Sequence, residues 1–218
     1  MKTELKIPAG MATLDGILMV PETAAITVLF AHGSGSSRYS PRNGFVARAL
    51  NQAGLATLLF DLLTPDEEAD DIQTGRYRFN IDLLAERLVQ ATQWIQKQKQ
   101  TSRLGIGYFG ASTGGGAALV AAAKLPGDVG AVVSRGGRPD LAGDALSRVK
   151  APTLLVVGGR DETVVEFNQK AQQKMRCEVK LEIIPGATHL FEEPGALDRV
   201  AQLAGDWFLH HATRQDFP

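Results

Sequence analysis

The stretch Gly110-Ala111-Ser112-Thr113-Gly114 decides the interpretation of this chain, because it places a serine between glycines directly after an apolar run. Residues 104–109 before it are strand-like, and residues 115–123 after it are small, apolar and suited to a buried helix. A serine that attacks a carbonyl stands on a sharp strand-to-helix turn, which leaves room only for small neighbours. The pattern therefore predicts that Ser112 is a nucleophile on such a turn, a nucleophile elbow.

Composition favours a single domain that acts on small molecules. No Pro-, Ser- or charge-rich stretch divides the 218 residues, so we expect one domain over residues 1–218. A net charge of −1 with both signs mixed throughout indicates neither a nucleic-acid surface nor a membrane patch. No apolar run approaches the roughly 20 residues of a membrane span and the N-terminus lacks a secretory pattern, which predicts a cytoplasmic protein. The single cysteine, Cys177, excludes an internal disulfide and a multi-cysteine metal site.

Strands and helices alternate along most of the chain. Residues 3–7 and 12–20 are expected to pair antiparallel at the sheet edge, and residues 61–71 to form an acidic, solvated loop rather than a metal site. Further strands are predicted at 26–31, 55–60, 104–109, 129–134, 153–157 and 179–184, and helices at 44–53, 77–98, 115–123, 164–175 and 196–211. This order predicts an α/β fold, a mostly parallel doubly wound sheet with helices on both faces. Ligand sites in such sheets lie beyond the carboxyl ends of strands.

A serine nucleophile needs a base, which is normally a histidine oriented by a carboxylate. Of the four histidines, His210 and His211 lie together near the end of the chain, where solvated or capping roles are expected. His32 directly follows a buried strand and is expected to be structural. His189 follows a predicted strand in a loop, and the sequence therefore predicts that it is the base.

The acid is expected between the serine and the histidine, again just past a strand. Asp161 meets this condition in Leu154-Leu-Val-Val-Gly-Gly-Arg-Asp161. Taken alone, it is equally suited to cap the helix that follows. Together with Ser112 and His189 in the expected order, it is predicted to be the acid of a catalytic triad.

Acyl transfer also needs hydrogen-bond donors for the developing oxyanion. The backbone N–H of Thr113 is one candidate, and Ser34 in the glycine-rich stretch His32-Gly33-Ser34-Gly35 is the second. The alternative for the second stretch is a glycine turn without a catalytic part.

These motifs together resemble the α/β-hydrolase superfamily and, within it, the dienelactone-hydrolase-like proteins. The resemblance extends over nearly the whole chain, from the loop at 32–35 to the loop at 186–191. It implies a serine hydrolase that acts on esters, lactones or related acyl compounds, with no cofactor, no metal and no large cap domain. Members named for dienelactone cleavage carry a cysteine nucleophile, whereas this chain has Ser112, so the substrate is not carried over from the family name.

Two arginines follow the strand predicted at 129–134, on the edge that would hold the catalytic residues. Arg135 is hypothesised to bind an anionic acyl group, because a guanidinium makes bidentate contacts with carboxylates. The alternative is that it binds nearby carbonyls or Asp140. Arg38, Tyr39 and Arg42 are further candidates at the edge of the pocket.

Other interpretations of the sequence compete with the serine hydrolase. The run Gly105-Ile-Gly-Tyr-Phe-Gly110 matches the dinucleotide fingerprint, but no strand precedes it, which favours an accidental match. A non-catalytic ligand-binding module on a hydrolase fold and an acyltransferase with the same triad remain alternatives. The sequence leaves open the substrate, the acyl acceptor and the oligomeric state.

Overall fold

The computed structural model describes residues 2–211, in which eight strands form one sheet with the order β1-β2-β4-β3-β5-β6-β7-β8. The strands are β1 (Lys2–Ala9), β2 (Ala12–Met19), β3 (Ile26–Ala31), β4 (Ala56–Phe60), β5 (Gly105–Ala111), β6 (Val129–Arg135), β7 (Thr153–Gly158) and β8 (Val179–Ile184). β1 pairs with β2 and β2 with β4 in antiparallel fashion, and the other neighbours are parallel. The predicted antiparallel pair at the sheet edge is confirmed.

Helices cover both faces of this sheet, which confirms the predicted doubly wound α/β architecture. They are α1 (Pro41–Gln52), α2 (Pro65–Thr74), α3 (Ile81–Ile95), α4 (Thr113–Lys124), α5 (Glu162–Lys174) and α6 (Ala196–His211). A hydrophobic core lies on each face of the sheet, and successive side chains of β5 point to opposite faces. Tyr108 packs in the core with α3 and α4, and Phe109 packs in the core with α1 and α6. No helix within residues 2–211 is long and apolar enough to cross a lipid bilayer.

The prediction of a solvated acidic loop at residues 61–71 was wrong, because α2 begins inside it. Thr64 caps this helix: its hydroxyl accepts from the N–H of Glu67, and its own N–H donates to the Glu67 carboxylate. Pro65 suits the first turn, and acidic side chains there favour the positive end of the helix dipole. The acidic residues therefore start a helix, and the Thr-x-x-Glu spacing is the signal that could have predicted it.

Two further segments differ from the sequence prediction. The helix expected over 77–98 begins only at Ile81, because Asn80 caps it by accepting from the N–H of Leu83. A 3-10 segment, Pro139–Arg148, lies between β6 and β7 and is kinked at Gly143, whose φ is 51°. Between β6 and β7 the chain forms only this 3-10 segment and short turns, within the residues that the structure describes. No large cap domain is therefore inserted between these two strands.

Packing explains the glycines that imitate a dinucleotide fingerprint. Gly105 opens β5, and the other two glycines lie within the strand. A Cβ on Gly107 would lie 2.7 Å from Cε1 of Phe208, and one on Gly110 would lie 2.5 Å from the carbonyl oxygen of Gly114. These glycines allow α6 and α4 to approach the sheet closely, and the match to the fingerprint is accidental.

We expect Gly107→Ala to lower the free energy of unfolding by about 1–3 kcal/mol, because the new methyl group overpacks the buried ring of Phe208. Urea unfolding followed by circular dichroism measures this. The matched control is Gly205→Ala in α6, where a Cβ would meet Leu50 at an ordinary 3.7 Å. That variant should be as stable as the wild type or more stable, since alanine favours a helix interior by about 0.5–1 kcal/mol. Equal stability of Gly107→Ala and wild type would contradict this account.

Candidate active site

Ser112 stands on a strained turn between β5 and α4. Its φ of 52° and ψ of −123° lie in a region that residues other than glycine rarely adopt. Hydrogen bonds hold it on both sides: its N–H donates to the carbonyl of Arg135 at 3.2 Å, and its carbonyl accepts from the N–H of Arg138 at 3.0 Å. A Cβ on Gly114 would lie 2.1 Å from the carbonyl oxygen of Ala31, so only glycine fits there. The strand-turn-helix geometry of a nucleophile elbow is present.

Asp161 and His189 form a close pair. Asp161 follows β7 and His189 follows β8, and Nδ1 of the imidazole lies 2.6 Å from Oδ2 of the carboxylate. A carboxylate only accepts, so Nδ1 carries the proton and Nε2 is left as the basic nitrogen. Asp161 occupies the N-cap position of α5, yet its side chain makes no capping hydrogen bond. Of the two roles that the sequence allowed, the side chain is oriented for the pair with His189.

Close backbone contact brings the loops of this pair together. A Cβ on Gly158 would lie 2.5 Å from the carbonyl oxygens of both Ala187 and Thr188, so the two loops touch through glycine. The N–H of Arg160 also donates to the carbonyl of Ala187 at 2.9 Å. On the far side, Glu193 accepts from the N–H of Thr188 at 3.0 Å. The histidine loop is therefore fixed by backbone hydrogen bonds rather than by the imidazole alone.

The imidazole of His189 lies over the end of β6, beside the elbow. A Cβ on Gly136 would lie 3.5 Å from Cε1 of His189. Gly136 follows Arg135, which is paired with Ala111 in the sheet and accepts the N–H of Ser112. The sheet thus brings the three predicted triad residues to one carboxyl edge.

Ser34 and Thr113, the two predicted oxyanion donors, contact each other. The N–H of Ser34 donates to Oγ1 of Thr113 at 3.1 Å, and the two hydroxyls are 3.2 Å apart. The hydroxyl of Ser34 donates to the carbonyl of Arg78 at 3.4 Å, so the hydroxyl of Thr113 donates to that of Ser34. The N–H of Ser34 therefore has an acceptor already, whereas the N–H of Thr113, as the first residue of α4, has none within the helix.

Asp71 is a residue of this region that sequence reasoning missed. Its buried carboxylate accepts from the N–H groups of Tyr77 at 2.6 Å and Arg78 at 2.9 Å, and from Nε of Arg78 at 2.8 Å. Burial alone would raise the pKa of Asp71, but these donors and the charge of Arg78 hold it below its usual value. Because Arg78 contacts Ser34, Asp71 fixes the loop that supports the predicted oxyanion segment.

With this geometry established, comparison with known proteins identifies the family. The model of the dienelactone hydrolase family matches residues 5–208. The chain belongs to the dienelactone hydrolase family. Membership supports a hydrolase, and the eight-stranded sheet, with no large cap inserted within residues 2–211, agrees with it.

Several known proteins are similar to this chain over most of its length. The chain is 58% identical, with a TM-score of 0.96, to the crystal structure of dienelactone hydrolase from Anabaena variabilis, and the match covers 97% of this chain and 98% of that one. It is also 58% identical over 208 residues to two proteins from strains of Mycobacterium tuberculosis, named as proposed phosphoribosyl transferases, covering 95% of this chain and 46% of each relative. The chain thus spans about half their length. Est1E from Butyrivibrio proteoclasticus with bound ferulic acid shares the fold, with 19% identity, a TM-score of 0.80 and coverage of 94% and 98%.

The first histidine of this dienelactone hydrolase family chain has a structural position, as predicted. Nε2 of His32 accepts from the N–H of Leu62 at 3.0 Å, and Nδ1 lies 3.0 Å from the carbonyl oxygen of Gly33. A carbonyl only accepts, so Nδ1 carries the proton and the ring is neutral. Burial lowers the pKa of His32 below its ordinary 6.5. The ring of His32 thus links the loop after β3 to the loop after β4.

A neutral buried histidine makes stability depend on pH. Because the folded pKa of His32 is lowered, its contribution is complete above the unfolded pKa of about 6.5 and is lost as the pH falls toward the folded value. We expect the free energy of unfolding to decrease between pH 7 and pH 5, and His32→Gln to make this slope shallower by up to about 1.4 kcal/mol per pH unit. Urea unfolding at several pH values measures both slopes. His210→Gln, at an exposed site, is the control; parallel curves for His32→Gln and wild type would refute the assignment.

Arg38 and Tyr39 are engaged at a different place. The backbone N–H of Arg38 donates to Asp61 at 2.6 Å, its guanidinium pairs with the same carboxylate, and Nη2 donates to the hydroxyl of Tyr39 at 3.0 Å. Both residues line a cavity of about 330 Å³ with Ile17 and Met19 of β2. β3 and β4 separate β2 from β5 in the sheet, and the substrate role of Arg38 and Tyr39 stays a prediction.

The two arginines after β6 differ in their partners. Arg138 donates from Nε and Nη2 to the two carboxylate oxygens of Asp140, at 2.8 and 2.6 Å. Arg135 makes no such pair, and its Nη2 lies 3.5 Å from Oδ1 of Asn43. Asp140, which the sequence analysis named as an alternative partner of Arg135, is therefore paired with Arg138 instead.

Proposed function

We propose that this member of the dienelactone hydrolase family is a serine hydrolase that cleaves an ester, lactone or related small acyl compound through an acyl-enzyme on Ser112. The pair of Asp161 and His189, 2.6 Å apart at the sheet edge that carries the elbow, is the observation that supports it most strongly. A nucleophile, a base and an orienting carboxylate are the groups that this chemistry needs.

In the proposed mechanism, Nε2 of His189 takes the proton of Ser112 as Oγ attacks the substrate carbonyl. Asp161 holds Nδ1 and stabilises the imidazolium that forms. The imidazolium then donates its proton to the leaving oxygen, and the bond from that oxygen to the carbonyl carbon breaks. His189 next activates a water molecule, which releases the acid from Ser112.

The N–H groups of Thr113 and Ser34 are the proposed donors to the oxyanion. The N–H of Ser34 bonds to the neutral hydroxyl of Thr113 at 3.1 Å in the resting protein. An oxyanion is a stronger acceptor than a neutral hydroxyl, so the transition state would draw this N–H away from Thr113. The interaction would then be stronger in the transition state than with bound substrate, as catalysis requires.

We do not assign phosphoribosyl transfer to this chain. The relatives with that name carry more than half of their sequence outside the match, since the chain covers 46% of each. The elbow and the aspartate-histidine pair are suited to acyl transfer. A non-catalytic module and an acyltransferase remain the alternatives to hydrolysis, and the experiments that follow separate them.

We expect a fluorophosphonate probe to label the wild type on Ser112 and to leave Ser112→Ala unlabelled, because the probe needs an activated serine. Intact-mass spectrometry and peptide mapping measure the modification, and circular dichroism checks that the variant is folded. Absence of labelling in folded wild type would favour the non-catalytic module. Turnover of ester, lactone and thioester panels, with competing alcohols and amines in the assay, then distinguishes hydrolysis from acyl transfer.

Asp161→Asn separates the catalytic role of this residue from a capping role. Asparagine caps helices as well as aspartate does, so a residue that only caps would leave kcat unchanged. If Asp161 orients His189, the amide favours the wrong tautomer, and kcat for p-nitrophenyl butyrate should fall by about 10³- to 10⁴-fold. Stopped assays with matched melting curves measure this, and a fall below about tenfold would count against the triad.

A further inference from the structure

Asn168 is a buried amide between α5 and the turn that follows β6. The residue is fully buried, and its Nδ2 donates to the carbonyl oxygen of Gly137 at 3.0 Å and to that of Val164 at 2.8 Å. An amide nitrogen carries two protons, so both are used. Gly137 is itself buried, where an unpaired carbonyl would be unfavourable. Asn168 therefore ties α5, the helix that begins next to Asp161, to the turn after β6.

The two acceptors set the orientation of this amide. If the Asn168 side chain were turned over, its oxygen would face two carbonyl oxygens, and none of the three could donate. In the orientation that the structure has, Oδ1 is buried and has no hydrogen-bond partner within residues 2–211. An unpaired buried acceptor destabilises the fold. Stability by itself is thus a weak explanation for an asparagine at this position.

The carbonyl that Asn168 holds belongs to the same peptide group as the N–H of Arg138. A peptide group is planar, and because residues 2–211 contain no cis peptide bond, its C=O and N–H point in opposite directions. The N–H end of this group donates to the carbonyl of Ser112 at 3.0 Å. Through one rigid plane, Asn168 thus fixes a donor that holds the candidate nucleophile.

A second peptide group continues this chain of hydrogen bonds. The carbonyl of Ser112 shares its peptide group with the N–H of Thr113, which is a proposed oxyanion donor. Hydrogen bonds in a row polarise one another, so a donor at the carbonyl end makes the N–H at the other end a stronger donor. The chain therefore runs from Nδ2 of Asn168, through two peptide planes, to the place where the oxyanion would form.

Close packing limits how far the turn after β6 can move. A Cβ on Gly137 would lie 1.9 Å from Oγ of Ser134, and one on Gly115 would lie 2.9 Å from Cα of Gly137. The turn is therefore pressed against both β6 and α4. Loss of the Asn168 amide should then change the strength of the hydrogen bonds in the chain more than the path of the backbone.

We propose that Asn168 is a positioning residue, whose amide orients and polarises the N–H of Thr113 for the oxyanion through these two peptide groups. The proposal rests on the proposed hydrolase function and adds a residue from outside the triad to it. Asn168 lies behind the elbow and acts through the backbone rather than on the substrate. Its contribution is partial, because the carbonyl of Ser112 also accepts from the N–H of Gly115 at 2.9 Å.

The chain of hydrogen bonds is tested first without turnover, by nuclear magnetic resonance. A peptide nitrogen responds to the hydrogen bond that the carbonyl of its own peptide group accepts. In Asn168→Ala, the ¹⁵N resonance of Arg138 should shift, and that of Thr113 should shift by a smaller amount. Thr101→Val is the matched control, since it removes a buried hydroxyl that donates to the carbonyl of Ile95 at 2.6 Å, before the first residue of β5. It should leave both resonances unchanged.

Kinetics then test the consequence for catalysis. Loss of a whole oxyanion donor lowers kcat about 10²- to 10³-fold, so the weakening of one donor in Asn168→Ala should lower kcat for p-nitrophenyl butyrate about 3- to 30-fold. KM should change less than about twofold, because the oxyanion forms only in the transition state. Affinity for propyl trifluoromethyl ketone, whose adduct with Ser112 carries the oxyanion, should fall as much as kcat/KM. Thr101→Val should keep wild-type values even where its melting temperature is lower.

The pH profile separates this role from a displacement of the acid. Because α5 begins next to Asp161, a variant that moved the helix would disturb the pair with His189 and shift the midpoint of kcat/KM against pH. We expect an unchanged midpoint in Asn168→Ala. A shifted midpoint with an unchanged Thr113 resonance would show that Asn168 acts on the acid and would overturn the proposal.

The two proposals fail in different ways. A wild type that hydrolyses no ester contradicts the hydrolase, while the Thr113 resonance still decides whether Asn168 controls that N–H. Hydrolysis by the wild type, together with wild-type kcat in folded Asn168→Ala, overturns the role of Asn168 and leaves the hydrolase standing. A resonance shift without a fall in kcat has the same meaning, because the polarisation then does not reach the transition state.

A second variant covers the case in which Asn168→Ala does not fold. In Asn168→Ser, the hydroxyl can bond to the carbonyl of Val164 one helical turn earlier, but it is too short to reach Gly137. The donor to the peptide chain is lost while the new side chain keeps a partner. The same fall in kcat and the same resonance shifts are expected, and wild-type values in this variant refute the proposal.

Discussion

Direct contact of backbone with backbone at the elbow is the constraint on which the site depends. A side chain on Gly114 would collide with the carbonyl of Ala31, and one on Gly110 would collide with Gly114 itself. Because α4 starts this close to the ends of β3 and β5, Ser112 is held at positive φ. The same closeness places Ser34 against Thr113. The geometry of the serine and of its candidate oxyanion donors thus has one cause.

Around this turn, polar groups are matched to partners that fix their chemical state. His32 is held neutral by an N–H on one ring nitrogen and a carbonyl on the other. Asp71 is held charged by three donors from Tyr77 and Arg78, and Asp161 is paired with His189. Arg135 departs from this pattern. Within residues 2–211 its Nε and Nη1 have no hydrogen-bond partner, and neither has the buried Oγ of Ser134 on the same strand.

Family and fold support a hydrolase more strongly than they support any substrate. The Anabaena variabilis structure matches almost the whole chain, whereas the mycobacterial relatives extend far beyond it. Fold leaves the substrate open, because side chains at the strand ends decide which molecule is bound. In this chain those side chains include Ser112 and Arg135, whose guanidinium has no carboxylate partner within residues 2–211. The choice of substrate therefore depends on the side chains that surround Ser112.

The sequence by itself determined the strands, the elbow and the candidates for base and acid. Continuous apolar runs such as β3 are buried on both faces, and the small residues on either side of Ser112 leave room for a tight turn between β5 and α4. With four histidines, elimination was enough to select His189. The strands and the turn at Ser112 are confirmed, because backbone conformation and burial depend on residues that are near in sequence, whereas the roles of Asp161 and His189 stay predictions.

Only the tertiary structure decided which side chains meet. From the sequence, the side chain of Asp161 could cap α5 or contact His189. In the structure the loops after β7 and β8 touch at Gly158, and the carboxylate contacts His189 and not the N-terminus of α5. Asp140 was the alternative partner named for Arg135, and it pairs with Arg138 instead. Such choices depend on distances of a few ångströms between segments far apart in the chain, and on which side chain is desolvated. Local sequence patterns predict neither these distances nor the burial of an individual polar side chain.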